Sequence, residues 1–291
     1  MTATSTRELI GRAVDAGSAV PAFNVITLEH AEAVVDGLVR ANVPGIIQLS
    51  QRALEYHGSS AVPIVSACAA LISAAGIPIA LHLDHIQDLV LARRLTSRAE
   101  ELGISSIMVD FAELDRAANV SSTREAVADA RARGLYVEAE LGQIGGKEGA
   151  HAHGARTDPD DAERFVAETG VDALAVAIGS SHAMTSRDAS LDLELLGRLA
   201  KAVPVPLVLH GSSGVPDAEL VSSISAGIRK VNVGTALNVV YTAAVRRVLD
   251  SKPALTDPRE YLREARTAMS ETVVEFCRVV GSRPELKEEQ A

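Results

Sequence analysis

Leu81-His82-Leu83-Asp84-His85, Ala175-Val176-Ala177-Ile178-Gly179-Ser180-Ser181-His182 and Leu207-Val208-Leu209-His210 are apolar runs that each close on histidine. Short apolar runs bounded by polar or glycine residues read as buried strands. Similar runs along the chain end near Asn24, Ser50, Asp84, Asp110, Glu140, Gly179, His210 and Asn232. Between them lie amphipathic stretches. In Leu28 to Val39, for example, Leu28, Ala31, Val35 and Leu38 share one face at helical spacing. Ser122-Thr123-Arg124-Glu125 reads as a capping box opening a helix to Arg133, and Pro159 and Pro216 each sit at an expected first helical turn. Roughly eight strand-helix units is what a (β/α)8 TIM barrel needs. The expected organisation is one barrel over residues 1–285 with a helical C-terminal extension after Thr256, and a frayed charged tail at 286–291.

Strand carboxyl ends are where barrels place their sites, so the residue types found there carry information. Imidazole suits zinc, and three protein ligands with an open position is the usual arrangement of a catalytic zinc. His85, His182 and His210, beside Asp84, Asp110 and Glu140, therefore point to one metal site assembled from several strand ends. A metal there would act as a Lewis acid, with nearby carboxylates moving protons. Asp84 adjoins His85 and must lie close to that region, either handling a proton or orienting a histidine. Gly142 to Thr157 contains five glycines, His151 and His153, and follows the strand carrying Glu138 and Glu140. It reads as a flap that brings Glu148 over a bound substrate, the alternative being a solvated loop charge. Gly211-Ser212-Ser213-Gly214 and Asn232-Val233-Gly234-Thr235 place backbone amides after the expected seventh and eighth strands, where barrels commonly cradle phosphate.

Bulk properties narrow the partners. The 291 residues are 47% hydrophobic and 23% charged, which fits a packed domain and excludes general disorder. The net charge of -10, with Lys and Arg scattered, argues against nucleic acid. Only 3% of residues are aromatic and Trp is absent, which argues against a stacking platform. No apolar run reaches membrane-spanning length and the start carries no signal-peptide pattern, so the expected location is the cytoplasm. Cys68 and Cys277 form no metal-spacing motif and read as small hydrophobes.

Taken in order, Ala22-Phe23-Asn24-Val25, Leu83-Asp84-His85, Val137-Glu138-Ala139-Glu140-Leu141-Gly142, Gly145-Gly146-Lys147-Glu148, Ala177-Ile178-Gly179-Ser180-Ser181-His182, Leu209-His210-Gly211-Ser212-Ser213-Gly214 and Lys230-Val231-Asn232-Val233 resemble the class II metal-dependent ketose-bisphosphate aldolases. That family includes fructose-bisphosphate and tagatose-bisphosphate aldolases, and the resemblance spans nearly the whole chain. It implies a (β/α)8 barrel, a homodimer or homotetramer, that reversibly cleaves a phosphorylated ketose to dihydroxyacetone phosphate and an aldehyde. By resemblance His85, His182 and His210 match the catalytic zinc ligands, and Asp110 and Glu140 match a second metal position. Asp84 matches the acid acting on the aldehyde or C4 hydroxyl, and Glu148 matches the flap base acting on dihydroxyacetone phosphate. Gly211, Ser213, Asn232 and Thr235 match contacts to that phosphate, with Ser212, Val233 and Gly234 in the same turns. Asn24 and Ser50 match substrate-facing polar positions. The expected ions are one catalytic zinc, with room for a second divalent ion and a monovalent cation.

Four departures stand out. Ala183 replaces the glycine usual after the zinc histidine, and Gly234 stands where Asp or Asn is common. The flap segment Gly149 to Arg156 lacks the usual acidic and aromatic residues, and Arg187 replaces a lysine. These changes alter the substrate walls more than the metal or the proton transfers, so the reaction type is better defined than the sugar. Two other readings follow from the residues. A metal-dependent barrel hydrolase would want a His-x-His pair on the first strand, which Val20 to Val25 lacks. An inactive paralogue would lack ligands or proton-transfer residues, and none is missing.

Overall fold

The computed structural model describes residues 4–58, 61–141 and 156–281. Eight parallel strands close into a barrel in chain order, with β1 pairing β8. They are β1 Val20–Asn24, β2 Gly45–Ser50, β3 Ile79–Ile86, β4 Ile104–Val109, β5 Tyr136–Glu140, β6 Ala173–Ala175, β7 Leu207–Leu209 and β8 Ile228–Val233. Helices alternate with the strands and cover the barrel, and a long helix, Pro258–Gly281, follows the last unit. This is the expected TIM barrel with a helical C-terminal extension.

The apolar periodicities account for two layers. Residues facing outward from the strands, such as Phe23, Ile47, Leu81, Val137 and Leu209, pack under the helices in the larger core. Ala22, Ile46, Ala80, Met108, Ala173 and Val208 form a smaller inner core with Leu9, Ile10 and Ala13. Those last three belong to a helix not anticipated from periodicity, Thr6–Ala16, capped by the Ser5 side chain. Its apolar stripe is short, and apart from β1 its partners come from the distant strands β3, β4 and β8. The C-terminal helix packs on helix Leu28–Ala41. A Cβ at Gly37 would come within 2.5 Å of Val273 Cβ, so the approach requires glycine.

Several expected boundaries differ. The helix expected to open at the Ser122 capping box starts about two turns earlier, at Arg116, because Asp115 accepts from Ala118 N at 3.0 Å. Thr123 is then a buried mid-helix residue whose hydroxyl donates to Asn119 Oδ1 at 2.9 Å. The strand expected to reach Gly179 leaves the sheet after Ala175. There Ala177 N donates to Thr157 Oγ1 and Ile178 O accepts from Asp192 N, so side-chain and loop partners replace the ladder. Pro159 opens its helix as expected, whereas Pro216 sits one residue before Asp217–Ala226. The tail at 286–291 lies outside the described residues.

Candidate active site and metal centre

A cavity of about 430 Å³ opens at the carboxyl ends of the strands. Asn24, Ser50, Asp84, His85, His182, Gly211, Ser213, Asn232, Gly234 and Thr235 all line it. Ser212 and Val233, expected in the same group, are fully buried and absent from the lining. The Ser212 hydroxyl is instead donated to Asn232 O. Ala183 and Arg52 also line the cavity, and Arg52 is its one Lys or Arg among the described residues. Glu148, His151, His153 and the rest of the expected flap from Gly142 to Ala155 lie outside the described residues.

The three histidines converge, His85 from the end of β3, His210 from directly after β7 and His182 from the loop that follows β6. Their ring centroids are 5.1 Å (His85 and His182), 4.8 Å (His85 and His210) and 5.6 Å (His182 and His210) apart. With Glu140 they offer one ligand atom each, all within 4.8 Å of one another. Asp110 stands behind that group: its Oδ2 accepts from His85 Nδ1 at 2.8 Å. An ionised carboxylate can only accept, so His85 carries its hydrogen on Nδ1 and turns a lone pair on Nε2 inward. That Nε2 faces His210 Nδ1 at 3.1 Å. The site thus presents nitrogen and carboxylate donors with a carboxylate behind a histidine, a donor set that fits a divalent metal.

Backbone geometry aims these groups. His85 adopts φ 49°, at a register shift between Leu83 and Ile86 in the β3–β4 pairing. This irregularity carries β3 two residues past the expected end at Asp84 and turns the ring into the mouth. Ala183, next to His182, adopts φ 59°, a left-handed conformation that favours glycine. Gly211 has φ 66°, and a Cβ there would meet Ser181 O at 2.5 Å. Ser213 Oγ accepts from Ala236 N at 3.1 Å at the start of helix Thr235–Ser251, which points its N-terminus at the cavity.

Asp84 is held by a polar relay. Gln48 Nε2 donates to Asn24 Oδ1 at 2.7 Å, and Asn24 Nδ2 donates to Asp84 Oδ2 at 2.8 Å. Burial alone would raise the Asp84 carboxyl, but His85, His210, Lys230 and His82 outweigh it and hold it at about 2. Asp84 is therefore ionised at neutral pH. Beneath it, His82 is fully buried, and burial with the Lys230 charge lowers it to about 3, so it is neutral.

The His82 tautomer follows from its partners. Ser105 Oγ donates to Leu81 O, so Thr6 Oγ1 donates to Ser105, Ser106 Oγ donates to Thr6, and His82 Nδ1 must donate to Ser106 at 2.7 Å. His82 Nε2 is then a bare acceptor 3.9 Å from Asp84 Oδ1, and neither atom has a hydrogen-bond partner among the described residues.

Sequence reasoning missed Gln48, His82, Glu138 and Lys230. Gln48, Glu138 and Lys230 are polar side chains at inward positions of apolar strands, a signal legible only once strand register is known.

These features define a TIM barrel with a candidate divalent-metal centre at the carboxyl ends of its strands. The model of the class-II fructose-bisphosphate aldolase family matches residues 4–285, and the chain belongs to that family. It is similar to the YdjI aldolase of Escherichia coli K12, with 32% identity over 97% of this chain and 98% of that one and a TM-score of 0.82. It is equally similar to a Coccidioides immitis protein provisionally assigned as a fructose-1,6-biphosphate aldolase, with 32% identity, 97% of each chain and a TM-score of 0.85. The fructose-bisphosphate aldolase of Campylobacter jejuni shares the fold, at 23% identity over 94% and 93% of the chains and a TM-score of 0.79. The reaction is accordingly aldol cleavage in a family that depends on a metal. No helix among the described residues is long and apolar enough to cross a membrane.

Proposed function

We propose that this chain is a zinc-dependent aldolase that reversibly cleaves a phosphorylated ketose, fructose 1,6-bisphosphate or a related hexose phosphate, to dihydroxyacetone phosphate and an aldehyde. Tagatose 1,6-bisphosphate and a modified hexose phosphate are the nearest alternatives. The observation that carries this reading is the convergence of His85, His182 and His210 beside an ionised Asp84 in a class II family member. In it the three histidines hold the zinc, and Glu140, with Asp110 behind His85, serves a second ion position. A bound zinc supplies the Lewis-acid charge that stabilises negative charge developing on substrate oxygens.

The chain's own residues supply the rest. Amides at Gly211, Ser213, Gly234 and Thr235 hold the phosphate at a helix N-terminus, and Asn232 and Asn24 orient the sugar oxygens. Asp84, ionised and fixed by Asn24, accepts the C4 hydroxyl proton as the C3–C4 bond breaks. In the reverse direction it returns that proton. Glu148 exchanges the proton on the dihydroxyacetone carbon. Assembly as a homodimer or homotetramer in the cytoplasm, and a monovalent cation near Ala183, belong to the same reading. The test is a panel of phosphorylated ketoses given to zinc-loaded protein and scored for dihydroxyacetone phosphate. Release from at least one, abolished by a chelator, is expected. Zinc-loaded protein that releases none would overturn the reading.

A further inference from the structure

We propose that the buried Glu138–Lys230 ion pair is a positioning device for His210, fixing which of its ring nitrogens offers a lone pair to a metal. The proposal rests on the metal-centre reading above and extends it to two residues outside the ligand group. Glu138 on β5 and Lys230 on β8 belong to strands that are not neighbours, so their contact spans the barrel interior. Lys230 Nζ donates to Glu138 Oε2 at 2.7 Å, with both side chains only 1% exposed. The other oxygen, Oε1, lies 3.0 Å from His210 Nε2.

The direction of that last bond follows from charge. A carboxylate neutralised by a lysine has only lone pairs to offer, so His210 must carry its hydrogen on Nε2. Asn232 Nδ2 is placed 3.0 Å from the same nitrogen while its Oδ1 is buried with no hydrogen-bond partner among the described residues; turning the amide over brings Oδ1 to the His210 N–H and satisfies both groups. Nδ1 is thereby left bare, and Nδ1 is the atom turned toward His85 Nε2 at 3.1 Å. Asp110 performs the same task for His85, with its ring 14% exposed. The Glu138 side chain is only 1% exposed, and a carboxylate that deep stays ionised at lower cost with a cation beside it. Lys230 is that cation. Packing alone does not account for the pair, since replacing a buried ion pair by apolar side chains is often neutral or stabilising.

The test uses metal alone, without sugar. Zinc affinity is measured by chelator competition, and the His210 tautomer by 15N NMR of the metal-free protein. Glu138→Gln leaves Lys230 uncompensated and risks unfolding, so Glu138→Gln/Lys230→Met, which removes both charges, is the principal variant. Wild-type protein is expected to show a single Nε2–H tautomer at His210. The double variant is expected to keep cooperative thermal unfolding, to mix tautomers, and to bind zinc about 10- to 100-fold more weakly. Zinc affinity within twofold of wild type, or an Nδ1–H ring in the wild-type protein, would overturn the assignment. The wild-type spectrum decides the matter even if neither variant folds or no zinc is taken up. A protein that passes these tests yet cleaves no ketose phosphate would fail the proposed function and leave this inference standing.

Discussion

His85 Nε2 and His210 Nδ1 face each other at 3.1 Å while the hydrogens of both rings are engaged elsewhere, with Asp110 and Glu138. Two lone pairs at that distance repel unless a cation lies between them. His210→Ala is therefore expected to cut the bound divalent metal from near stoichiometric to a small fraction, read by elemental analysis after a chelator wash. Full occupancy with unchanged cleavage would sink the ligand assignment.

Asp84→Asn keeps the side-chain shape but removes the charge that Asn24 holds in place. Carbon-carbon cleavage is expected to fall by about 10² or more, the usual size for a lost proton-transfer group. Metal content and affinity for dihydroxyacetone phosphate should persist, since neither is assigned to Asp84. Near wild-type cleavage with metal bound would make Asp84 an orienting group only.

Glu148→Gln is expected to abolish exchange of the hydroxymethyl hydrogens of dihydroxyacetone phosphate with deuterated water when no aldehyde is present. That exchange isolates one proton transfer from bond making. Exchange at the wild-type rate would move the role to another group, with His151 or His153 next in line.

Stability should fall on acidification. His82 is lowered in the folded protein to about 3 from 6.5, so the unfolded chain takes up the proton first. The contribution is fully present above about pH 6.5 and is lost as pH falls toward 3, at about 1.4 kcal/mol per pH unit per proton. Asp84, lowered to about 2 from 3.8, adds a loss of the same sign over that lower window. Urea unfolding of metal-free protein between pH 6 and 4 should show the wild-type slope exceeding that of His82→Gln by roughly one proton's worth. Equal slopes would mean that His82 is protonated in the fold.

Ala183 holds a left-handed backbone at φ 59° beside His182. Ala183→Gly is expected to raise stability by about 1 kcal/mol, because a Cβ in that conformation costs about 1–2 kcal/mol and glycine recovers most of it. Thermal unfolding at fixed metal content checks this. A lower midpoint would show that the methyl packs well enough to outweigh the strain.

The barrel was legible because each β/α unit encodes itself. Apolar runs of strand length, amphipathic helices and the polar residue closing each run depend on neighbours a few positions apart. His85, His182, His210, Asp84 and Glu140 were visible for the same reason, as chemistry-bearing residues at strand ends. The Ser122 capping box misled because a local motif competes with any stronger cap upstream, and Asp115 provided it.

Tertiary structure alone decided the rest. Helix Thr6–Ala16 finds its partners inside the barrel, and Thr6 reaches Ser106, 100 positions away. Glu138 and Lys230 are 92 positions apart, and nothing near either residue announces the other. Asp110 lies behind His85 because the irregular end of β3 turns that ring inward. Sequence determined which chemical groups arrive at the barrel mouth, since strand ends are set by local pattern. Barrel closure decided which atom of each group faces which, because hydrogen direction and ring tautomer depend on partners that only folding brings within 3 Å.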